Sequence, residues 1–429
     1  MDATITPNSK STLPASFIAG WDSVRGWSAV AVVVLHACVP YSRFGMPGLA
    51  WPTRDVEPAS TSSLIISAVM WSIELIIMPI FLVMAGYLAM VSMQSGGGWP
   101  TIRRRLRRLG SPLVLGGVLV LPLDLYVWLG GWLADGIVSP VKLRSLKFDS
   151  GIDDHLWGLS HLWFLPYLMS YITVLGCWTR YATRPSVLQC NKLFLSMLFV
   201  FACSILVVRP EVVWGFQHAW EPVLSKWLYS GLFFWLGAAI ASSKPVLDSM
   251  ARASQRFAVV GIMFLIAAVN LGMHQVAIAA ADVDSISLTT GHWHLVPDRA
   301  PTWTLAFLTA ATAFILTLSL LAAASRWSGT ASSPTRSLAR ASMAIYLLHH
   351  PVVGLAQVAL KHGAPGIPAI LKVLLAASAG VLVPLGIHLV WNGSLRRSDQ
   401  ADASSATVIP LRPALKHGHE SQRPSRLAG

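Results

Sequence analysis

The stretch Val24-Arg25-Gly26-Trp27-Ser28-Ala29-Val30-Ala31-Val32-Val33-Val34-Leu35-His36-Ala37-Cys38-Val39-Pro40 sets two ionisable side chains, Arg25 and His36, at either end of ten residues that have none. An apolar run of this length reads as a membrane helix, because backbone in lipid must satisfy its hydrogen bonds within its own segment. At about 100° per residue, the step from Arg25 to His36 is roughly three turns, so both side chains share one helix face, about 16 Å apart along the axis. A permanent cation and a titratable base occupy two depths of one stripe.

The rest of the chain agrees with this reading. Its 429 residues are 54% hydrophobic and only 12% charged, where a soluble domain carries about 25% charge. Soluble fold classes are set aside. Apolar segments follow in series at about 24–40, 65–90, 111–132, 161–177, 192–208, 226–241, 257–277, 302–323, 341–358 and 367–391, which predicts an all-α polytopic membrane protein, a bundle of about ten transmembrane helices. Basic residues collect in alternate connections: Arg103 to Arg108; Arg180, Arg184 and Lys192; Lys244, Arg252 and Arg256; Arg326, Arg336 and Arg340; and the C-terminal tail. Positive charge accumulates on the cytoplasmic side, so both termini are placed there. Most of the net charge of +13 follows from topology, and no nucleic-acid partner is needed to explain it.

Three regions result: a cytoplasmic N-terminal tail (1–23), a transmembrane domain (24–391) and a disordered basic cytoplasmic tail (392–429). No internal repeat is visible. The four cysteines lack the spacing of a metal or redox pair and read as buried hydrophobes.

Ionisable groups inside spans are costly and are functional candidates by default. Arg25 stands where an arginine can snorkel to the interface, or where its guanidinium can hold a phosphorylated ligand. His36, past the bilayer centre, is a natural general base for a hydroxyl. Glu74, in the antiparallel second span, lies at a depth from which a carboxylate could orient the imidazole. The cluster Arg103-Arg104-Arg105-Leu106-Arg107-Arg108 follows Gly96-Gly97-Gly98 and is either an orientation anchor, a lipid-headgroup patch or a phosphate-binding lip. Asp124 and His349-His350-Pro351 admit structural and substrate-binding roles alike. His292-Trp293-His294 with Asp282 and Asp284 makes a poor ligand set, and no metal site is expected. No serine-hydrolase elbow, Walker loop or dinucleotide fingerprint is present.

Four stretches together resemble the membrane-bound acyltransferase-3 family, and within it the glucans biosynthesis protein C-like branch. They are Trp21-Asp22-Ser23-Val24-Arg25-Gly26 leading to Leu35-His36-Ala37; Met78-Pro79-Ile80-Phe81-Leu82-Val83-Met84-Ala85-Gly86-Tyr87; the arginine cluster; and His161-Leu162-Trp163-Phe164-Leu165 with Ala344-Ile345-Tyr346-Leu347-Leu348-His349. The likeness spans about residues 17–391. It implies a ten-helix bundle that moves an acyl group from cytosolic acyl-CoA, a co-substrate rather than a resident cofactor, to an extracytoplasmic hydroxyl, often of a sugar. It puts His36 in the place of the essential histidine and Arg25 in that of its paired arginine. Tyr87, His161, Trp163 and His349 fall in the motif stretches and are expected among the substrate- and donor-binding residues. The chain departs from the pattern at Ala85, where many relatives have serine, and at Glu74, where several carry a basic or polar residue. No hydrolase-like domain follows the last span, so any second transfer step is expected to need a periplasmic partner protein.

The expected function is a bacterial inner-membrane O-acyltransferase, with His36 and Glu74 in the chemistry and Arg25 and the arginine lip on the donor. Acetyl or succinyl is the expected acyl group and a carbohydrate the acceptor. The competing class is a transporter or exporter of a glycan or small polar substrate, whose buried charges would line a path.

Overall fold

The computed structural model describes residues 15–44, 53–55, 60–136, 138–141, 158–181, 190–215, 220–283, 299–326 and 332–405. Among these residues all regular secondary structure is helical: α1 (Ala15–Cys38), α2 (Thr61–Gly96), α3 (Gly98–Leu115), α4 (Leu121–Ala134), α5 (Phe164–Tyr181), α6 (Lys192–Val208), the single turn α7 (Glu211–Trp214), α8 (Leu224–Ala241), α9 (Lys244–Val283), α10 (Arg299–Ser325), α11 (Ser333–Gly363) and α12 (Ala369–Ser405). Two 3-10 turns, Val39–Tyr41 and Ser160–Trp163, and one π-turn, Gly116–Val120, join them. The His292–His294 stretch, Asp282 and Asp284 are not among the residues whose side chains are described.

Eight stretches are long and apolar enough to cross a bilayer: Gly20–Tyr41, Thr61–Gly96, Gly98–Ala134, Ser160–Arg180, Ser254–Ile278, Thr302–Ser325, Ser333–Gly363 and Ala369–Trp391. The shorter apolar helix α6, of 17 residues, and the largely buried α8, of 18, stand at the two remaining expected positions. Each expected span therefore coincides with a helix, the third being α3 and α4 run together through the π-turn. The protein is an all-α polytopic membrane protein.

Local sequence sets the helix ends. Ser60, Asn191 and Ser332 each accept a hydrogen bond from the backbone N–H three residues on, which starts α2, α6 and α11. Gly97 has φ +80°, a left-handed conformation that costs glycine little. It turns the chain out of α2 into α3 while its N–H still bonds Met93 O at 2.9 Å.

Lipid offers no hydrophobic drive between helices, so close approach and dispersion hold the bundle. The tightest crossing is α2 on α8. A Cβ at Gly86 would overlap the carbonyl of Phe234, and one at Gly237 would overlap the carbonyl of Val83. The two backbones touch directly. Gly26 likewise lies against Ala339, bringing α1 onto α11, and Gly380 of α12 meets Val353 and Val33. Trp214 packs over Gly272 and donates its indole N–H to Thr309 Oγ1 at 3.0 Å.

The chain divides into two compact units, Met1–Leu385 and Gly386–Gly429. The first contains α1 to α11 and the start of α12 to Leu385. The second, among the described residues, is the continuation of α12 to Ser405, past residue 391 where the last span was expected to end.

Candidate active site

Five elements bring polar side chains to one internal cavity. Its walls include His36 from α1, Glu74 and Met78 from α2, His161 and Trp163 from the 3-10 turn, Lys226 from α8, and Tyr346, His349 and His350 from α11. The cavity measures about 60 Å³. Four of its residues are histidines, and their rings crowd together. His36 lies 5.0 Å from both His349 and His350, centroid to centroid, and His161 lies 5.2 Å and 4.9 Å from the same two.

Each imidazole has one ring N–H pinned, and the pinning atoms can only accept, which assigns the tautomer. His36 Nδ1–H donates to Val32 O at 2.9 Å, so its basic nitrogen is Nε2. His349 Nδ1–H lies 2.9 Å from the carbonyls of both Ile345 and Tyr346. His161 Nε2–H donates to Leu347 O at 3.1 Å, and His350 Nδ1–H to Asp124 Oδ1 at 2.7 Å. Asp124 Oδ2 accepts from Ser160 Oγ at 3.1 Å. His349 is fully buried, and among the described residues its Nε2 has no hydrogen-bond partner.

Two prolines explain part of this wiring. Pro351 lacks an N–H, so the carbonyl of Leu347, four residues earlier, has no helical donor. His161 supplies one. Pro40 in the same way frees the carbonyl of His36, and the buried amide of Gln357 donates to it at 2.9 Å. The break in each helix is repaired by a side chain from another element, and each repair holds a site histidine in place. Ser160 has φ +47°, an uncommon conformation for a residue with a Cβ. It puts the Ser160 hydroxyl on Asp124 and starts the turn that carries His161. Tyr346 closes the loop by donating to His161 O at 2.7 Å.

Asp124, His161 and His350 are by residue type a set that could hold a metal, with ligating atoms within 4.8 Å of one another. Their contacts are those of a hydrogen-bonded cluster: both carboxylate oxygens of Asp124 already accept, one from His350 and one from Ser160. Glu74 faces the cavity with His36, but no hydrogen bond or ion pair joins the two. The charge near Glu74 is that of Lys226.

The other expected site residues lie elsewhere. Arg25, on α1 below His36, pairs with Asp22 at 3.0 Å and donates to Ala339 O at 3.1 Å. Tyr87 is buried against Trp21, ring centroids 4.8 Å apart. The arginine cluster divides. Arg103, Arg104, Arg107 and Arg108, with Trp99 and Pro100, line an open groove of about 620 Å³, whereas Arg105 turns inward and donates to Leu88 O at 2.7 Å and Ser92 Oγ at 2.9 Å. Arg105 ties α3 to α2. Two features escaped the sequence reading: the Asp124–His350 pair, and Lys226, which stands at the first position of an expected span and reads there as a boundary residue.

The acyltransferase domain model of the acyltransferase-3 family matches residues 18–389. No curated protein and no solved structure matches the chain. The match takes in every helix that lines the histidine cavity, so this chain belongs to the acyltransferase-3 family and is a membrane acyltransferase.

Proposed function

We propose that the enzyme transfers a small acyl group, acetyl or succinyl, from cytosolic acyl-CoA to a hydroxyl of an extracytoplasmic glycan or other carbohydrate, in the manner of the glucans biosynthesis protein C-like branch. Its place is the bacterial inner membrane, with both termini cytoplasmic. The observation that carries the reading is the tautomer of His36. With Nδ1–H held by Val32 O, Nε2 is the basic nitrogen of a half-buried ring on the cavity wall. It takes the proton of the acceptor hydroxyl as the oxygen adds to the thioester carbon; the carbon–sulfur bond then breaks and the thiolate recovers the proton. A cavity of about 60 Å³ holds only a handful of heavy atoms, which suits acetyl or succinyl and not a long chain.

The donor's phosphates suit the groove of Arg103, Arg104, Arg107 and Arg108, whose guanidinium groups face solvent and match phosphate oxygens. Exposed Trp99 offers a flat face beside them for a base to stack on. Arg25, held by Asp22 and Ala339, acts from the same end of α1 as a positioning group.

The test is His36→Ala in the full-length protein. Ester formation on envelope glycans, read as alkali-released acid by mass spectrometry, is expected to fall by about 10²–10⁴-fold with the membrane level unchanged. Undiminished ester in this variant refutes the assignment.

A further inference from the structure

Lys226 handles its charge unlike the other embedded lysines. Lys372 closes on Asp55 at 2.6 Å and Lys361 on Asp135 at 2.7 Å. An ammonium held among helices ordinarily finds a carboxylate in this way, because an unpaired charge in a low-dielectric interior is costly. Lys226 Nζ instead lies 3.8 Å from the centre of the Trp163 ring. No oxygen acceptor among the described residues takes its N–H groups, although Glu74 faces the same cavity and its charge reaches Lys226. The indole face holds the ammonium by cation–π attraction. The ammonium stands at a cavity that His36 also lines.

The remaining walls of the cavity narrow what that ammonium is for. His161, His349 and His350 each have a ring N–H committed to a carbonyl or carboxylate, and the Tyr346 hydroxyl is committed to His161 O. Among the described residues, Lys226 is the one formal cation on the cavity wall other than a histidine. Acyl transfer is helped by a donor at the acyl carbonyl oxygen. As a hydroxyl oxygen adds to an acyl carbon, the carbonyl π pair moves onto oxygen, and a donor pre-set in a dry site stabilises the oxyanion far more than water does.

We infer that Lys226 is a catalytic residue whose ammonium, held on the face of Trp163, hydrogen-bonds the acyl carbonyl oxygen and carries the oxyanion during transfer. The inference rests on the reading of His36 as the base in this cavity. The acceptor's proton passes to His36 Nε2, the new carbon–oxygen bond forms, and the π pair settles on the oxygen beside Lys226. The pair then returns, the carbon–sulfur bond breaks, and the thiolate takes the proton from His36.

The experiment uses detergent-permeabilised membranes containing the full-length protein and its endogenous glycans, with radiolabelled acetyl-CoA and succinyl-CoA as donors. Alkali-labile label is counted at varied donor concentration. Lys226→Met is expected to lower kcat by about 10²–10³-fold for both donors, with KM for the donor within about threefold of wild type. Lys226→Arg is expected to restore kcat to within about tenfold of wild type. Lys226→Gln serves should the methionine variant fail to accumulate, and is expected to lose kcat in the same way. A kcat within threefold of wild type in accumulated Lys226→Met or Lys226→Gln overturns the inference. So does a loss confined to KM for succinyl-CoA, which would make Lys226 a binding group for the distal carboxylate. Label that is absent in wild type, or that persists in His36→Ala, overturns the underlying reading, and the oxyanion role falls with it.

Discussion

The histidine cavity and the first half of α3 both concentrate charge, and they treat it in opposite ways. At the cavity, His161 and His350 on the wall and Asp124 behind it are buried and hydrogen-bonded to other elements, His161 to Leu347 O and Asp124 to both His350 and Ser160. On α3, four arginines stand side by side along an open groove, and only Arg105 is engaged with the bundle. A buried network fails as a unit when one member is lost, since the orphaned partner has no water to turn to. An exposed row loses affinity in small, separable steps that salt can mimic.

The largest test of this contrast is Asp124→Ala. It leaves His350 Nδ1–H and Ser160 Oγ without their acceptor, and the expected cost is about 3–5 kcal/mol. Thermal denaturation of the purified protein reads the stability, and ester formation should be lost with it. Asp124→Asn, which keeps the shape and one oxygen, is expected to lose less; equal losses would mean that volume rather than hydrogen bonding holds the cluster. Arg105→Gln comes next, at about 1.5–3 kcal/mol for two hydrogen bonds from a charged donor, and the salt dependence of donor KM should not change. A shift in that salt dependence would place Arg105 with its neighbours in the groove.

Gly86→Ala probes the wall shared by both carriers of cavity charge, because α2 bears Glu74 and α8 bears Lys226. The added methyl group meets the Phe234 carbonyl, and the two helices must part. Overpacking of this kind costs about 1–3 kcal/mol, read as a lower melting temperature, with reduced transfer if the cavity widens. The smallest effect belongs to Arg104→Gln. Its stability is expected within about 0.5 kcal/mol of wild type, and donor KM should rise only about two- to fivefold. Replacing Arg103, Arg104, Arg107 and Arg108 together should multiply these steps and flatten the salt dependence. If Arg104→Gln alone abolishes activity, the groove is not a redundant electrostatic surface and the contrast fails.

Much of the bundle was legible in the chain. Each apolar run long enough to cross lipid coincides with a helix, because membrane backbone has few other ways to satisfy its polar groups. The common helix of Arg25 and His36 followed from periodicity. The expected orienting contact to His36 was drawn from Glu74 on depth alone. The structure gives His36 a nearer partner on its own helix, Val32 O, and sets Glu74 across the cavity wall with Lys226. Depth says how far along a helix a residue stands, not which neighbour its face meets.

The sequence by itself determined the all-α membrane class, where the apolar spans fall and the stripe that carries Arg25 and His36, since these follow from local rules of backbone hydrogen bonding and rotation per residue. It also displayed Pro40 and Pro351 as residues that leave a carbonyl without its donor. Only the tertiary structure decided that Gln357 and His161 would supply the missing hydrogens, that Asp124 would meet His350 across 226 positions, and that Lys226 would lie on Trp163. Those pairings depend on which helix faces abut, and in this bundle that is settled by backbone approach at glycines such as Gly86 and Gly237, through contacts between residues far apart in the chain.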